Sequence, residues 1–233
     1  GSGRVEQWDD QSGNGHHFTQ ATPGARPLFS NGTGPNGWDL VDFDGVDDKL
    51  RNAAQLITGN NFTVFTVMNV QEPGYPWAIG EGSRIFYEGH PAGGVGSTDL
   101  FDLGHDSHND ARASLPGIGD ATFKVLSITS GGFNSLVQVY ANGVAASMST
   151  TGANVATTTS PGNTLGFVNF APNLYTVVSF AEFIVYEAEL SDPDRLSVEA
   201  YLQDKYFSQA EVPEPSTLLL LGTGLVGLIG YGR

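Results

Sequence analysis

The sequence predicts an all-β protein built as an antiparallel sandwich, with one short helix near its C-terminal end. Its 233 residues include 31 glycines and only 15% are charged, a composition that suits short strands and tight turns better than long helices. Apolar runs of strand length recur between turn signals rich in Asn, Gly and Pro. Without the apolar C-terminal tail about 210 residues remain, an ordinary length for one sandwich or barrel domain.

The predicted strands follow these apolar runs. They cover 40–43, 62–70, 85–87, 100–103, 123–129, 136–140, 165–170 and 175–186. In the run 62–70 apolar residues fall on both faces of the alternation, which is typical of a central strand that is covered on both sides. Asn142 and Gly143 stand between two runs and form the strongest hairpin signal in the chain. These signals favour antiparallel pairing.

One helix is predicted from the segment LSDPDRLSVEAYLQDKYF, residues 190–207. Ser191 or Asp192 provides the N-cap, and Pro193 suits the first turn. The side chains of the apolar stripe that would pack on the sandwich are Val198, Tyr201, Leu202 and Tyr206. We expect the helix to lie against an edge or a face of the sandwich.

Charge and cysteine content exclude several functions. The chain has 25 acidic against 10 basic residues, a net charge of −15, so it would repel a nucleic-acid backbone, and no Lys/Arg cluster exists to bind one. We therefore expect no nucleic-acid partner. The absence of cysteine excludes disulfides, thiolate catalysis and cysteine-based zinc sites. The acidity favours solubility or, where carboxylates converge, binding of divalent cations.

Four landmarks follow one another along the chain: VEQWDDQSGNGHHFTQ, RPLF, VDFDGVDDKL and FAEFIVYEAELSDPDRLSVEAYLQDKY. Their order resembles that of the laminin G-like, concanavalin A-like jelly-roll domains of secreted bacterial proteins. The resemblance covers nearly all of residues 5–206 and implies two antiparallel sheets packed face to face in a domain at 1–207. In that family an extra strand precedes the Trp8 segment. We therefore expect a shortened N-terminus and one sheet edge that is unaccounted for.

The tail differs in character from the domain. Residues 208–216 form a linker, and 217–233 form an apolar run that ends in Arg233. Together with Pro213, Glu214 and Pro215, this run resembles a PEP-CTERM sorting signal, which is handled by an exosortase. The resemblance implies a bacterial envelope protein whose domain lies on the periplasmic or extracellular side and whose residues 217–233 form a transmembrane anchor.

The length of the tail agrees in part with a membrane span. A helix over 218–232 would be about 22 Å long, whereas the hydrocarbon core of a bilayer is about 30 Å thick. Ser216 and Thr217 would lengthen it, and Arg233 would lie at the cytoplasmic surface. The alternative, a β-hairpin of the domain, is disfavoured by the glycines of the run and by the preceding prolines.

Candidate metal ligands lie in the irregular stretch 89–119. The ligand set is Asp102, His105, Asp106 and Asp110. Ca²⁺ is the ion that such an oxygen-rich set would hold, although the spacing is not that of an EF-hand. A surface loop also collects Asp and His for solubility. Asp9, Asp10 and Asn14 form a second candidate, with the alternative that these side chains hold the first turn by bonding to backbone groups.

Aromatic residues are the candidates for ligand binding. Tyr75 and Trp77 lie among Pro and Gly, where a loop would display them for stacking on a sugar or for contact with a protein. Trp8, in contrast, is expected to pack in the core. These residue types do not distinguish a glycan from a protein ligand.

No catalytic constellation is visible in the sequence. A retaining glycosidase needs two carboxylates about 5 to 5.5 Å apart. Glu187 and Glu189 are two residues apart, so their side chains would lie on the same face of a strand, but Glu189 falls at the strand end. Glu182 is five residues from Glu187, so it would lie on the opposite face. Hydrolysis of a glycan is therefore the least favoured function.

The sequence as a whole predicts a non-enzymatic envelope protein that recognises a glycan, a matrix polymer or a protein. A second hypothesis is a structural accessory subunit of a membrane complex, with the tail retained as an anchor and small residues packed against partner helices. Cleavage or retention of the tail distinguishes the two.

Overall fold

A computed structural model describes residues 3–54, 56–57, 61–71, 76–79, 83–87, 100–105, 111–115, 117, 120–131, 137–150, 162–168 and 174–208. In chain order the strands are β1 Gln7–Trp8, β2 Phe18–Thr19, β3 Leu28–Ser30, β4 Leu40–Asp44, β5 Leu50–Asn52, β6 Asn61–Val70, β7 Trp77–Ile79, β8 Ser83–Tyr87, β9 Leu100–His105, β10 Ala111–Ser114, β11 Lys124–Gly131, β12 Val137–Ala141, β13 Val144–Ala145, β14 Ser147–Thr150, β15 Asn163–Leu165, β16 Phe167–Val168, β17 Leu174–Tyr175 and β18 Val177–Tyr186. The helix α1 is Asp192–Phe207.

Two large antiparallel sheets make up the domain, as the sequence predicts. One has seven strands in the order β13-β12-β11-β6-β18-β4-β3, and the other has nine in the order β1-β2-β5-β15-β7-β8-β9-β10-β14. The strand β6 lies in the middle of the seven-stranded sheet, between β11 and β18. Its predicted central position is confirmed, because side chains on both of its faces are buried.

Two turns show why the predicted runs end where they do. Asn142 and Gly143 have φ of 49° and 80°, and the hairpin that they predict joins β12 to β13. The run predicted at 165–170 is instead divided at Gly166, whose φ is 74°. A Cβ at this position would lie 2.0 Å from the Phe43 ring, so only glycine fits there.

The helix α1 covers the outer face of the seven-stranded sheet. Ser191 caps it, and Leu202 and Tyr206 pack on Phe65 and Val67, which point away from the core between the sheets. The predicted stripe is wrong in one position: the side chain of Tyr201 is 55% exposed.

Two charged residues of α1 are buried instead. Arg195 donates to Glu199 at 2.5 Å, and the guanidinium carbon lies 3.6 Å from the ring centre of Tyr140. The Glu199 carboxylate also accepts a hydrogen bond from Ser127 of β11. The helix is therefore held on the sheet by the Ser127–Glu199 hydrogen bond and by the contact of Arg195 with Tyr140, as well as by apolar contacts.

Within the part of the chain that the structure describes, no helix is long and apolar enough to cross a membrane. The predicted anchor at 217–233, and most of the linker at 208–216, lie outside the described residues.

Candidate binding cleft

A cleft of about 570 Å³ opens between the first turn, residues 9–16, and the second half of β18. Its floor is apolar, with Trp8, Phe18 and Leu56 facing Phe183 and Val185. Asp9, Asp10, His16 and Glu187 belong to its polar lining. A concave site with an apolar floor and a few polar groups is the usual form of a binding site.

Asp10 shapes the first turn. Its carboxylate accepts hydrogen bonds from the Ser12 amide at 2.8 Å, the Ser12 hydroxyl at 2.9 Å and the His16 amide at 2.9 Å. These hydrogen bonds favour the ionised form and lower the pKa of Asp10 to about 2. The interpretation of Asp10 as a residue that holds the turn through backbone groups is confirmed.

The opposite wall of the cleft is β18. This strand pairs with β6 from Val178 to Tyr186, but with β4 only from Val177 to Phe180. A bulge lies between Phe180 and Glu182. Beyond it, among the strands that the structure describes, residues 182–186 have a partner on one side only, and their other edge borders the cleft.

Aromatic packing supports the floor. The ring of Phe183 lies edge-on to Phe18 at 5.9 Å and to Trp77 at 5.3 Å. Phe183 and Val185 pack against the core cluster, yet both are only half-buried because the cleft leaves them open on one side. Trp8 is likewise half-buried against the core, in keeping with its predicted place.

Glu182, at the start of this open edge, is bound by the helix. Its carboxylate accepts from Lys205 Nζ at 2.7 Å and from the Tyr206 hydroxyl at 2.5 Å. Burial, reinforced by the Glu182 carboxylate, raises the pKa of Tyr206. Glu182 is thus engaged in a structural contact and is a poor candidate for acid–base chemistry.

A second acidic group lies on the turn after β4. Carboxylate oxygens of Asp44, Asp47 and Asp48 come within 4.8 Å of one another. Asp44 accepts the Val46 amide at 2.9 Å, and Asp48 is paired with Arg4 at 2.9 Å. Burial raises the pKa of Asp48 to about 6, although Arg4 opposes that shift. These contacts account for Asp44 and Asp48 as residues that hold the turn.

The predicted ligand-binding aromatics are placed differently from the expectation. Trp77 lies on β7 opposite Leu165 and is 0% exposed, so its predicted display on a loop is wrong. The reason is that the sheet continues through Trp77 and turns its indole inward onto Phe183. Tyr75 lies outside the described residues.

The predicted metal ligands are only partly within the described chain. Asp102 and His105 lie on β9, which extends the short strand predicted at 100–103. Asp106 and Asp110 are outside the described residues, as are Pro213, Glu214, Pro215 and Arg233 of the tail. The Ca²⁺ site formed by these four ligands therefore stays a prediction.

Among the exposed aromatic residues that sequence reasoning missed, Trp38 contacts the end of the helix. Its side chain is 44% exposed, its Nε1 donates to the Lys205 carbonyl at 2.8 Å, and Lys205 Nζ lies 4.6 Å from its ring centre. The signal in the sequence was the stretch NGTGPNGW, because a large aromatic residue after turn residues often lies at a surface.

Comparison with known families identifies the tail. Residues 211–233 match the PEP-CTERM protein-sorting motif, which confirms the resemblance of the C-terminal segment. This motif is a C-terminal sorting signal of exported proteins of the cell envelope, so the chain carries the signal of a surface-sorted protein. No curated protein matches the sequence.

Solved structures share the fold of the domain. The binding domain of Paraclostridial Mosquitocidal Protein 1 has a TM-score of 0.58 at 12% identity, over 86% of this chain and 50% of its own. A crystal structure of a receptor binding domain reaches 0.54 at 14% identity, over 87% and 51%. The binding domain of Botulinum neurotoxin DC in complex with rat synaptotagmin II reaches 0.54 at 13%, over 86% and 52%. The chain thus spans about half the length of these β-rich binding domains, whose fold agrees with a jelly-roll-like sandwich.

Proposed function

We propose that this chain is a non-enzymatic binding protein of the bacterial cell surface, and that the cleft between the first turn and β18 receives its ligand. The observation that carries this proposal is the combination of an open, half-buried apolar floor with polar groups held in place around it. Apolar side chains left open to solvent in an otherwise packed sandwich indicate a contact surface. The ligand classes are a glycan, a matrix polymer or a protein.

The similar structures support a binding role. Two of them are named as binding domains and one as a receptor binding domain, and one was solved in complex with the protein synaptotagmin II. At 12–14% identity this likeness concerns the fold, and the ligand of this chain has to be argued from its own cleft.

The acids near the cleft favour binding over hydrolysis. A glycosidase needs two carboxylates that are free to exchange protons or to attack the sugar. Asp10 holds the first turn, and Glu182 is bound by Lys205 and Tyr206. These two carboxylates therefore already have structural roles.

The tail determines where the domain would act. With residues 217–233 as a membrane segment, the sandwich would stand on the periplasmic or extracellular side, joined by the linker at 208–216. A structural subunit of a membrane complex is the second candidate, favoured by the small residues in the apolar run. Mass spectrometry of the C-terminus in membrane and released fractions separates the two: a product cleaved near Pro213–Pro215 indicates surface release, and an intact tail with co-purifying proteins indicates the subunit.

The binding proposal is tested with the full chain and two variants. Surface material is separated into polysaccharide and protein fractions, and saturable binding to each is measured. We expect Leu56→Arg, which places a charge on the cleft floor, to reduce binding at least about tenfold, and Leu196→Arg on the exposed side of α1 to leave it unchanged. Equal binding by both variants would place the ligand elsewhere, and release of sugar products would indicate hydrolysis.

A further inference from the structure

The open edge of β18 has the geometry of a strand acceptor. Residues 182–186 are extended and are paired with β6 along one edge. In an antiparallel sheet every second residue directs its N–H and C=O to each side, so this segment presents backbone groups to the cleft. An edge of this kind is a template for a further strand.

The stretch that could cover this edge is held elsewhere. The register of β4 on β18, continued past Leu40, would bring the residues before Leu40 opposite Glu182 and its successors. Instead, Asn36 and Trp38 both donate side-chain hydrogen bonds to the Lys205 carbonyl at the end of α1, at 3.2 and 2.8 Å. The bulge after Phe180 marks the point where β18 and the segment that leads into β4 separate. Among the described residues, these contacts therefore keep the stretch before Leu40 away from the edge.

The cleft beside the edge fits the side chains of an added strand. Alternate side chains of a strand point to opposite faces, so every second residue of a new strand would enter the space between the sheets. That space is bounded by Phe183 and Val185 on one side and by Trp8, Phe18 and Leu56 on the other. All five are apolar, so the inward positions suit apolar side chains.

The charges around the cleft indicate which side chains suit the positions of an added strand that do not point between the sheets. Asp9, Asp10 and Glu187 belong to its lining, and the hydrogen bonds within the first turn keep Asp10 ionised. Neither lysine nor arginine is among the described residues that line the cleft, and the one histidine there is His16. A ligand with lysine or arginine toward the first turn complements this rim.

We propose that the open edge of β18 binds an extended peptide segment of a partner protein, with apolar side chains at alternate positions and a basic residue beside the first turn. The proposal rests on the proposed function, because it names the ligand class of the same cleft. Backbone pairing supplies affinity in this mode of recognition, and the alternate side chains supply specificity.

The test uses the full chain and two synthetic peptides. The first peptide has seven residues that alternate valine with lysine and threonine, and its ends are acetylated and amidated. The second has the same residues with alternate backbone amides methylated, which removes strand pairing but keeps composition. Hydrogen exchange of the amides at 182–186 is measured for the free chain and with each peptide. Leu56→Arg and Leu196→Arg serve as cleft and surface variants.

At the amides of 182–186 that do not donate to β6, we expect the first peptide to slow exchange at least about tenfold and the methylated peptide to have no effect. We expect Leu56→Arg, but not Leu196→Arg, to abolish the protection. Slow exchange already present in the free chain, at those amides of 182–186 that do not donate to β6, would mean that the edge is filled from the same chain, or by a second copy if the protection grows with protein concentration. Either result overturns the proposal, as does equal binding of both peptides or protection by a polysaccharide fraction alone. Absence of any peptide effect also overturns the proposal, and retained binding of surface material in that case would leave the proposed function standing.

Discussion

The two faces of the β6–β18 pair have opposite surroundings. On the outer face, Leu202 and Tyr206 of α1 bury Phe65 and Val67, and the Ser127–Glu199 hydrogen bond joins the helix to the sheet. On the inner face, β18 ends beside the cleft, and Phe183 and Val185 stay half-buried. The β6–β18 pair thus supports stability on one face and carries the proposed binding surface on the other, so substitutions on the two faces should separate stability from binding.

The largest expected effect comes from Arg195→Met on the covered face. It leaves the buried Glu199 carboxylate without its cation, and we expect the free energy of unfolding to fall by about 3–5 kcal/mol. Urea denaturation measures this loss. The double variant Arg195→Met with Glu199→Leu should recover most of it, since a buried pair replaced by apolar residues leaves no unpaired charge. A small loss in the single variant would show that the helix does not depend on this pair.

Asp10→Ala should affect the cleft side. It removes three hydrogen bonds of the first turn, with an expected cost of about 1–3 kcal/mol at neutral pH and weaker ligand binding. Because the folded-state pKa of Asp10 lies near 2, below its ordinary value of 3.8, this contribution is present above pH 4 and is lost as the pH falls toward 2. The stability difference between wild type and Asp10→Ala should therefore shrink over that interval. A difference independent of pH would contradict the assignment.

Tyr206→Phe tests the contact between the helix and the start of the open edge of β18. The phenol hydroxyl donates to the Glu182 carboxylate at 2.5 Å, where the open edge begins, and its oxygen lies 3.1 Å from the Ala181 carbonyl oxygen. We expect a loss of about 1–2 kcal/mol in unfolding free energy, with faster hydrogen exchange at Glu182 and its neighbours. Unchanged exchange there would mean that the Lys205 contact and the pairing with β6 hold Glu182 without the phenol hydroxyl.

Leu196→Ser should have the smallest effect. The side chain is 48% exposed on the solvent side of α1, so we expect a change in unfolding free energy of less than about 0.5 kcal/mol and unchanged binding. Thermal denaturation measures it. A loss above about 1 kcal/mol would reveal a contact on this face and would make Leu196 unsuitable as a control position.

Prediction from sequence succeeded where a local pattern carries the information. The alternation of 62–70 predicted a central strand, and the Asn142-Gly143 signal predicted a hairpin, because both depend on residues close together in the chain. Trp77 was misplaced, since its Pro- and Gly-rich neighbours look the same whether the next residues form a loop or a strand. Tyr201 was misplaced because helical spacing alone does not show which edge of the apolar face of α1 the sheet covers.

By itself, the sequence determined the β-rich class, the capped helix and the sorting motif, since composition, capping residues and short motifs are local properties. Only the tertiary structure decided that Asp10 and β18 face each other, because they are far apart in the chain and meet only when the two sheets pack. The open edge of residues 182–186 likewise depends on the register of β4, on the bulge in β18 and on the contacts that hold Trp38 at the helix end. Pairing between strands that are far apart in the chain depends on how the two sheets pack, so no short stretch of sequence predicts it.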